Sequence, residues 1–140
     1  CDHVILYKSE DVAARVREIT GGEGVRVSYD GVGKASFEAS LKSLGRRGML
    51  VTFGNASGPV PPVEPLALSR GGSLFLTRPT LFDYVVTTEE LDASAAALFE
   101  AIRSGAVKIE IGREYELKDV RQAHEDLQAG ETIGSQLLIP

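Results

Sequence analysis

The chain has 140 residues, 43% of them hydrophobic and 25% charged, which is ordinary for one globular domain with a core of its own. A net charge of −5 without a large basic patch argues against a nucleic-acid ligand, because backbone phosphates need clustered Lys and Arg. No run of about 18 apolar residues is present to span a membrane, and no charged segment precedes an apolar one as in a signal peptide.

The single cysteine, Cys1, permits no internal disulfide and fits a reducing compartment, so a cytoplasmic location is expected. The first methionine is Met49, and the chain enters the apolar run Val4-Ile5-Leu6 almost at once. A processed terminus and a piece of a longer protein both account for such a beginning.

In chain order, residues 4–7 read as a short buried strand. Ser9 is placed to cap a helix, because its hydroxyl can satisfy a free N–H of the first turn. Val12, Val16 and Ile19 follow at helical spacing, and Gly21-Gly22 ends that helix. Residues 25–29 are a second strand, closed by Asp30-Gly31. Phe37, Leu41 and Leu44 mark the inner face of the next helix, followed by Gly45. A third strand covers 49–53 and ends at Gly54-Asn55. Residues 56–65, rich in Pro, Gly and Ser, read as a loop, and 74–76 as a fourth strand. Thr87 and Glu90 have the spacing of a capping box. Leu91, Ala95, Leu98 and Ile102 form the buried stripe of the helix that begins there, and Gly105 stops it.

Strand and helix thus alternate over residues 4–104 with near-continuous apolar strands. That pattern predicts an α/β fold, a parallel sheet with helices on both faces. The last third differs. Val107, Ile109 and Ile111 alternate with Lys108 and Glu110, a half-exposed strand period. Val120, Ala123 and Leu127 indicate a helix, and residues 136–140 a last strand. These pieces are expected to leave the alternation and to belong to a second, mostly β unit.

A doubly wound sheet binds ligands at the carboxyl ends of its strands. The turns there are Asp30-Gly31-Val32-Gly33, Phe53-Gly54-Asn55-Ala56 and Thr77-Arg78-Pro79. Their small residues allow a flat ligand to approach the backbone; equally, Asp, Asn and Gly are what any tight turn requires. Gly31-x-Gly33-x-x-Ser36 mimics a dinucleotide fingerprint but has Ser at the third glycine and no acidic residue about 20 positions on, so it is rejected as a pyrophosphate loop. Such a loop would have to lie upstream of Cys1. Tyr7 with Lys8, and the pair Arg46-Arg47, suit either an anion or an ordinary solvated turn. Of the two histidines, His3 and His124, the second falls near the inner face of its helix and reads as structural. One Cys and two His do not assemble a zinc site of known spacing, and no Gly-x-Ser-x-Gly elbow supports an esterase.

Three segments, VRVSYDGVGKASFEASLKSLGRRGMLVTFGNASG, GSLFLTRPTL and YELKDVRQAHEDLQAGETIGSQLLIP, together resemble the quinone oxidoreductases of the medium-chain dehydrogenase/reductase superfamily. Bacterial NADPH:quinone reductases are the nearer kin and zeta-crystallin a more distant one. The resemblance covers essentially the whole chain. It implies a two-domain enzyme of a little over twice this length, with a GroES-like domain followed by a Rossmann domain. Residues 1–105 would be the second half of the Rossmann sheet, lacking its first βαβ unit, and 106–140 a segment returning to the GroES-like domain. The cofactor would be NADPH, and the reaction hydride transfer to a quinone or electron-poor alkene without catalytic zinc. No catalytic residue is expected within this chain.

Residue by residue, Tyr7 matches a tyrosine at the adenosine 2′-phosphate, and Gly31 and Val32 match a turn near the adenosine. Phe53, Gly54 and Asn55 match a turn approaching the nicotinamide half. Leu76, Thr77 and Arg78 match the segment beside the nicotinamide ring, and Gly134 and Ser135 the turn before the last strand. Gly31 and Gly130 stand where some relatives carry Ser and a basic residue. The family's glycine loop, its phosphate-binding lysine and the tyrosine near the quinone match nothing here. The resemblance also implies a homodimer through the edge strand at 73–77, and an exposed second edge at 4–7. An enoyl-reductase module on the same fold, or a non-catalytic binding or structural protein, are the other readings, since fold alone does not set function.

Overall fold

A computed structural model describes all 140 residues. The chain separates into two compact units, Cys1–Asp83 and Tyr84–Pro140. The first is built on a three-stranded parallel sheet in the order β1-β2-β3, with β1 at Val25–Asp30, β2 at Leu44–Thr52 and β3 at Phe75–Thr77. Three helices accompany it: α1, Val12–Ile19; α2, Phe37–Lys42; and α3, Pro65–Arg70. The expected α/β class with a parallel sheet is therefore observed.

The core lies on one face of this sheet. Leu44 and Leu50 of β2 are almost fully buried, and Phe37 of α2 and Leu74 complete the cluster. Leu41, Val60, Val63 and Leu68 pack around it, so α2, α3 and the loop before α3 close that face. On the other face Val27, Met49 and Phe75 stand in one row across the three strands, because they are register partners. All three are exposed.

Several expected elements are shifted, each for a local reason. Residues 4–7 form no strand. The Leu6 N–H donates to Glu10 Oε1 at 2.6 Å, and the Leu6 carbonyl accepts from the N–H groups of Ser9 and Glu10. Its polar backbone groups are consumed by a turn, because no neighbouring strand offers a ladder. The free edges of the sheet are consequently β1 and β3, not 4–7. The first helix is capped by Asp11 rather than Ser9, with Asp11 Oδ1 accepting from the Ala14 N–H at 3.0 Å.

Leu44 is buried as expected but opens β2 instead of closing α2, and Gly45 is likewise inside the strand. Pro65 starts α3 within what reads as loop and strand flank. A proline at the first helical position gives up an N–H that would be unpaired anyway.

In the second unit α4 spans Thr88–Arg103, and the Thr87–Glu90 capping box is formed in both directions. None of its residues is buried within this unit; Leu91 and Leu98 are exposed. Beyond it, β4 (Ile111–Glu116), α5 (Val120–Ala129) and β5 (Ser135–Ile139) form a parallel β-α-β arrangement. Strand–helix alternation thus continues to the end, contrary to the expected change of character. The strand period at Val107 and Ile109 is not used, because β5 pairs only from Ile111 onward.

Tyr115 and Ala123 are the buried apolar residues of this unit. His124 points out to solvent, so it is not an inner-face residue; the helix turns Ala123 inward instead. Gly130 ends α5 with φ 70°, a left-handed cap that glycine adopts at low cost. No helix of the chain is long and apolar enough to cross a membrane.

Candidate functional site

The carboxyl ends of β1, β2 and β3 release the chain into three turns that are tied to one another. The Phe53 N–H donates to the Asp30 carbonyl at 2.9 Å, and the Ser57 N–H to the Val32 carbonyl at 2.8 Å. Ser57 Oγ donates to the same Val32 carbonyl at 2.7 Å and accepts from the Ala35 N–H at 2.9 Å. The Lys34 N–H reaches the Gly58 carbonyl at 3.1 Å, and Arg78 Nη1 reaches the Gly54 carbonyl at 3.3 Å. The turns meet because glycines let their backbones touch. A Cβ on Gly54 would stand 2.2 Å from the Gly31 carbonyl oxygen, and one on Gly33 2.7 Å from the Gly58 carbonyl oxygen. Gly33 also holds φ 86°, where L side chains are strained.

The first turn is organised by Asp30, which the sequence offers as one member of a strand-end turn suited either to a ligand or to tight-turn chemistry. It ends β1 with 3% of its surface exposed. Its Oδ1 accepts from the N–H groups of Val32 and Gly33, both at 2.9 Å. Ser36 Oγ lies 2.8 Å from each carboxylate oxygen, and Ser40 Oγ donates to Oδ2 at 2.7 Å. Burial pushes its carboxyl upward, but the bonds from Gly33, Ser40, Ser36 and Val32 outweigh burial and hold it below the ordinary carboxylate value. The signal for it was present: an Asp at a strand end with Ser six and ten positions on, one helical turn apart.

Beside this turn lies a cleft of about 220 Å³ lined by Tyr7, Tyr29, Gly31, Val32, Ser36 and Ser40 among others. Tyr7, Gly31 and Val32, three of the expected cofactor residues, are thus brought to one place. The phenols of Tyr7 and Tyr29 are exposed, so they are available as hydrogen-bond partners for a ligand there. The Phe53 ring covers Gly31, where an added Cβ would be 3.0 Å from it. Gly54 and Asn55 are in the second turn; Leu76 pairs with Leu50 in the ladder and Thr77 with Val51, which sets Arg78 at the same end of the sheet.

Gly134 and Ser135 belong to the second unit. Gly134 has φ 72°, and the Ser135 N–H donates to the Glu110 carbonyl at 2.7 Å as β5 begins. Glu110, Gly112, Arg113, Ile133 and Gln136 line a cleft of about 260 Å³ in that unit. On β4 and α5, Asp126 gathers Arg113 Nη1 at 2.6 Å, Tyr115 Oη at 2.8 Å and Gln122 Nε2 at 2.7 Å. The bonds from Gln122 and Tyr115, with the Arg113 charge, hold its carboxyl below the usual range.

As to metals, no three His, Cys, Asp or Glu side chains cluster so as to hold an ion. Cys1 is exposed at the terminus, and both His3 and His124 are exposed. The donors present do not fit a zinc centre.

The chain is similar to known proteins in sequence and in fold. The chain is 52% identical over 139 residues to a quinone oxidoreductase of Salmonella typhimurium, covering 98% of the chain and 42% of the relative. It is 40% identical over 141 aligned positions to a 2-haloacrylate reductase of a Burkholderia species, again 42% of that protein. Among solved structures, an Escherichia coli quinone oxidoreductase complexed with NADPH superposes with a TM-score of 0.92 at 48% identity, over 99% of this chain and 43% of that one. The chain therefore spans well under half the length of the curated relatives it matches. The family model described as zinc-binding dehydrogenase matches residues 1–138, and the chain belongs to that family.

Proposed function

We propose that this chain is the cofactor-holding part of an NADPH-dependent quinone reductase, which passes a hydride to a quinone or an electron-poor alkene. The observation that carries the reading is the convergence of three turns, two of them glycine-bearing, at the carboxyl end of a parallel sheet, beside a cleft with unengaged phenols. That end of an α/β sheet is where nucleotides bind. Similarity to a quinone oxidoreductase solved with NADPH, and to a 2-haloacrylate reductase, supports both the cofactor and the acceptor class.

In this reading Tyr7 meets the adenosine phosphate, and Gly31 and Val32 pass beside the adenosine. Phe53, Gly54 and Asn55 approach the nicotinamide half, with Leu76, Thr77 and Arg78 alongside the ring. When bound, the cofactor supplies the hydride; the chain's own residues orient it and exclude water. No acid, base or zinc ion is required from this chain. Residues 1–105 act as the second half of a Rossmann domain and 106–140 as a segment returning to a GroES-like domain. The enzyme works in the cytoplasm as a homodimer joined through the edge strand at 73–77. β3 has the unpaired outer edge such pairing uses.

The test is a titration of NADPH, with NADH beside it, into the 140-residue chain and into a version extended upstream through a glycine loop. Binding by the extended form with preference for NADPH is the expected result. Absence of binding by both would remove the oxidoreductase reading and leave a structural or binding role.

A further inference from the structure

Asp30 is not among the residues assigned to the cofactor. Yet the Gly31–Gly33 turn and α2, which follow β1 on the adenosine side of the proposed site, both bond to its carboxylate. It is nearly inaccessible and sits at the last position of β1. One oxygen accepts the N–H groups of Val32 and Gly33 and so fixes the turn that carries Gly31. Ser36 and Ser40, one helical turn apart on the chain entering and forming α2, bond the same carboxylate. The carboxylate thereby couples the end of the strand, the turn and α2. Gly31, Val32, Ser36 and Ser40 all line the cleft beside Tyr7.

A turn has two ways to satisfy its N–H groups, water or protein. Here a buried anion does it, and bonds to an ionised acceptor are about twice as strong as neutral ones. Such a hub holds the turn in one geometry before any ligand arrives. Pre-organisation of this kind lowers the ordering cost of binding and leaves chemistry at a distant atom untouched.

We infer that Asp30 is a positioning residue of the nucleotide cleft, setting affinity for NADPH through the Gly31–Val32 turn rather than by touching the cofactor. The inference rests on the NADPH reading above. Its test uses the full-length reductase, with NADPH binding followed by fluorescence, steady-state kinetics with a simple benzoquinone, and thermal unfolding by circular dichroism.

Asp30→Ala is expected to raise both Kd and KM for NADPH about tenfold, while kcat stays within about twofold, since only cofactor affinity is affected. Asp30→Asn should restore most of the affinity, because its amide oxygen still accepts from the Val32 and Gly33 N–H groups. That rescue, together with the KM-against-kcat split, is not what a general loss of stability produces. If Asp30→Ala does not fold, the double variant Ser36→Ala/Ser40→Ala releases the carboxylate from α2, and a rise in Kd of about threefold is expected. Unchanged NADPH affinity in a folded Asp30→Ala protein, or in the double variant, overturns the inference. Failure of the unsubstituted full-length protein to bind NADPH overturns the functional reading first, and this one with it.

Discussion

The backbones of Gly31 and Gly54 are pressed together: a Cβ on Gly54 would lie 2.2 Å from the Gly31 carbonyl oxygen and 2.8 Å from its Cα. This approach joins the end of β1 to the end of β2 and brings two expected cofactor turns into one surface. Since the obstructing atoms are backbone, they cannot swing aside as a side chain would. Gly54→Ala should therefore destabilise the first unit by about 1–3 kcal/mol, the usual cost of overpacking. A urea melt of the variant is the check, and a midpoint equal to that of the unsubstituted chain would show that the turns move apart freely.

Leu50 has no exposed surface and lies on the central strand β2, against Ser28 on one side and Leu76 on the other. Truncation there leaves a cavity that the flanking strands cannot close. Leu50→Ala is expected to cost about 2–5 kcal/mol. Leu66→Ala, at a half-exposed position of α3, should cost far less under the same denaturation. Equal costs at the two positions would contradict the assigned core.

Acid stability follows from Asp30. Its folded value lies below the ordinary 3.8, so the folded state holds the proton less tightly than the unfolded chain. The stability this provides is complete above that ordinary value and drains away as pH falls through the folded value. Asp126 is shifted in the same direction and adds to the same window. Denaturation midpoints measured from about pH 6 down to about pH 3 should fall for the unsubstituted chain. They should fall less steeply for Asp30→Asn and for Asp126→Asn. Three superimposable slopes would show that neither carboxylate is responsible.

At the start of α4, Thr87 Oγ1 accepts from the Glu90 N–H at 3.2 Å and Glu90 Oε2 accepts from the Thr87 N–H at 3.0 Å. Thr87→Ala orphans one donor of the first turn and should cost about 1 kcal/mol. Because the box is reciprocal, Glu90→Ala added to it should cost less than it does alone. A double-mutant cycle by thermal melting decides this; strict additivity would mean that the two bonds act separately.

Much of the local structure was legible from residue order. Apolar runs located β1, β3 and the end of β2, though β2 starts five residues earlier than expected, and the Thr87–Glu90 spacing located α4, because capping and periodicity are short-range effects. The three turns that build the candidate site were also visible, two as Gly and Asn at strand ends and the third as Thr77-Arg78-Pro79. Sequence could not show which apolar runs would find a partner strand. Val4-Ile5-Leu6 has the pattern of a strand but forms none, while β4 starts at Ile111 only because β5 pairs from there. The spacing of Asp30, Ser36 and Ser40 was visible, but not that the three side chains meet. An Asp in a turn is commonplace until the fold buries it and brings Ser36, Ser40 and two N–H groups around one carboxylate. Residue order by itself determined propensity, periodicity and capping. Hydrogen-bond partnership across the sheet, and the burial that turns a turn residue into a hub, were decided only by tertiary structure, since both depend on groups distant in the chain.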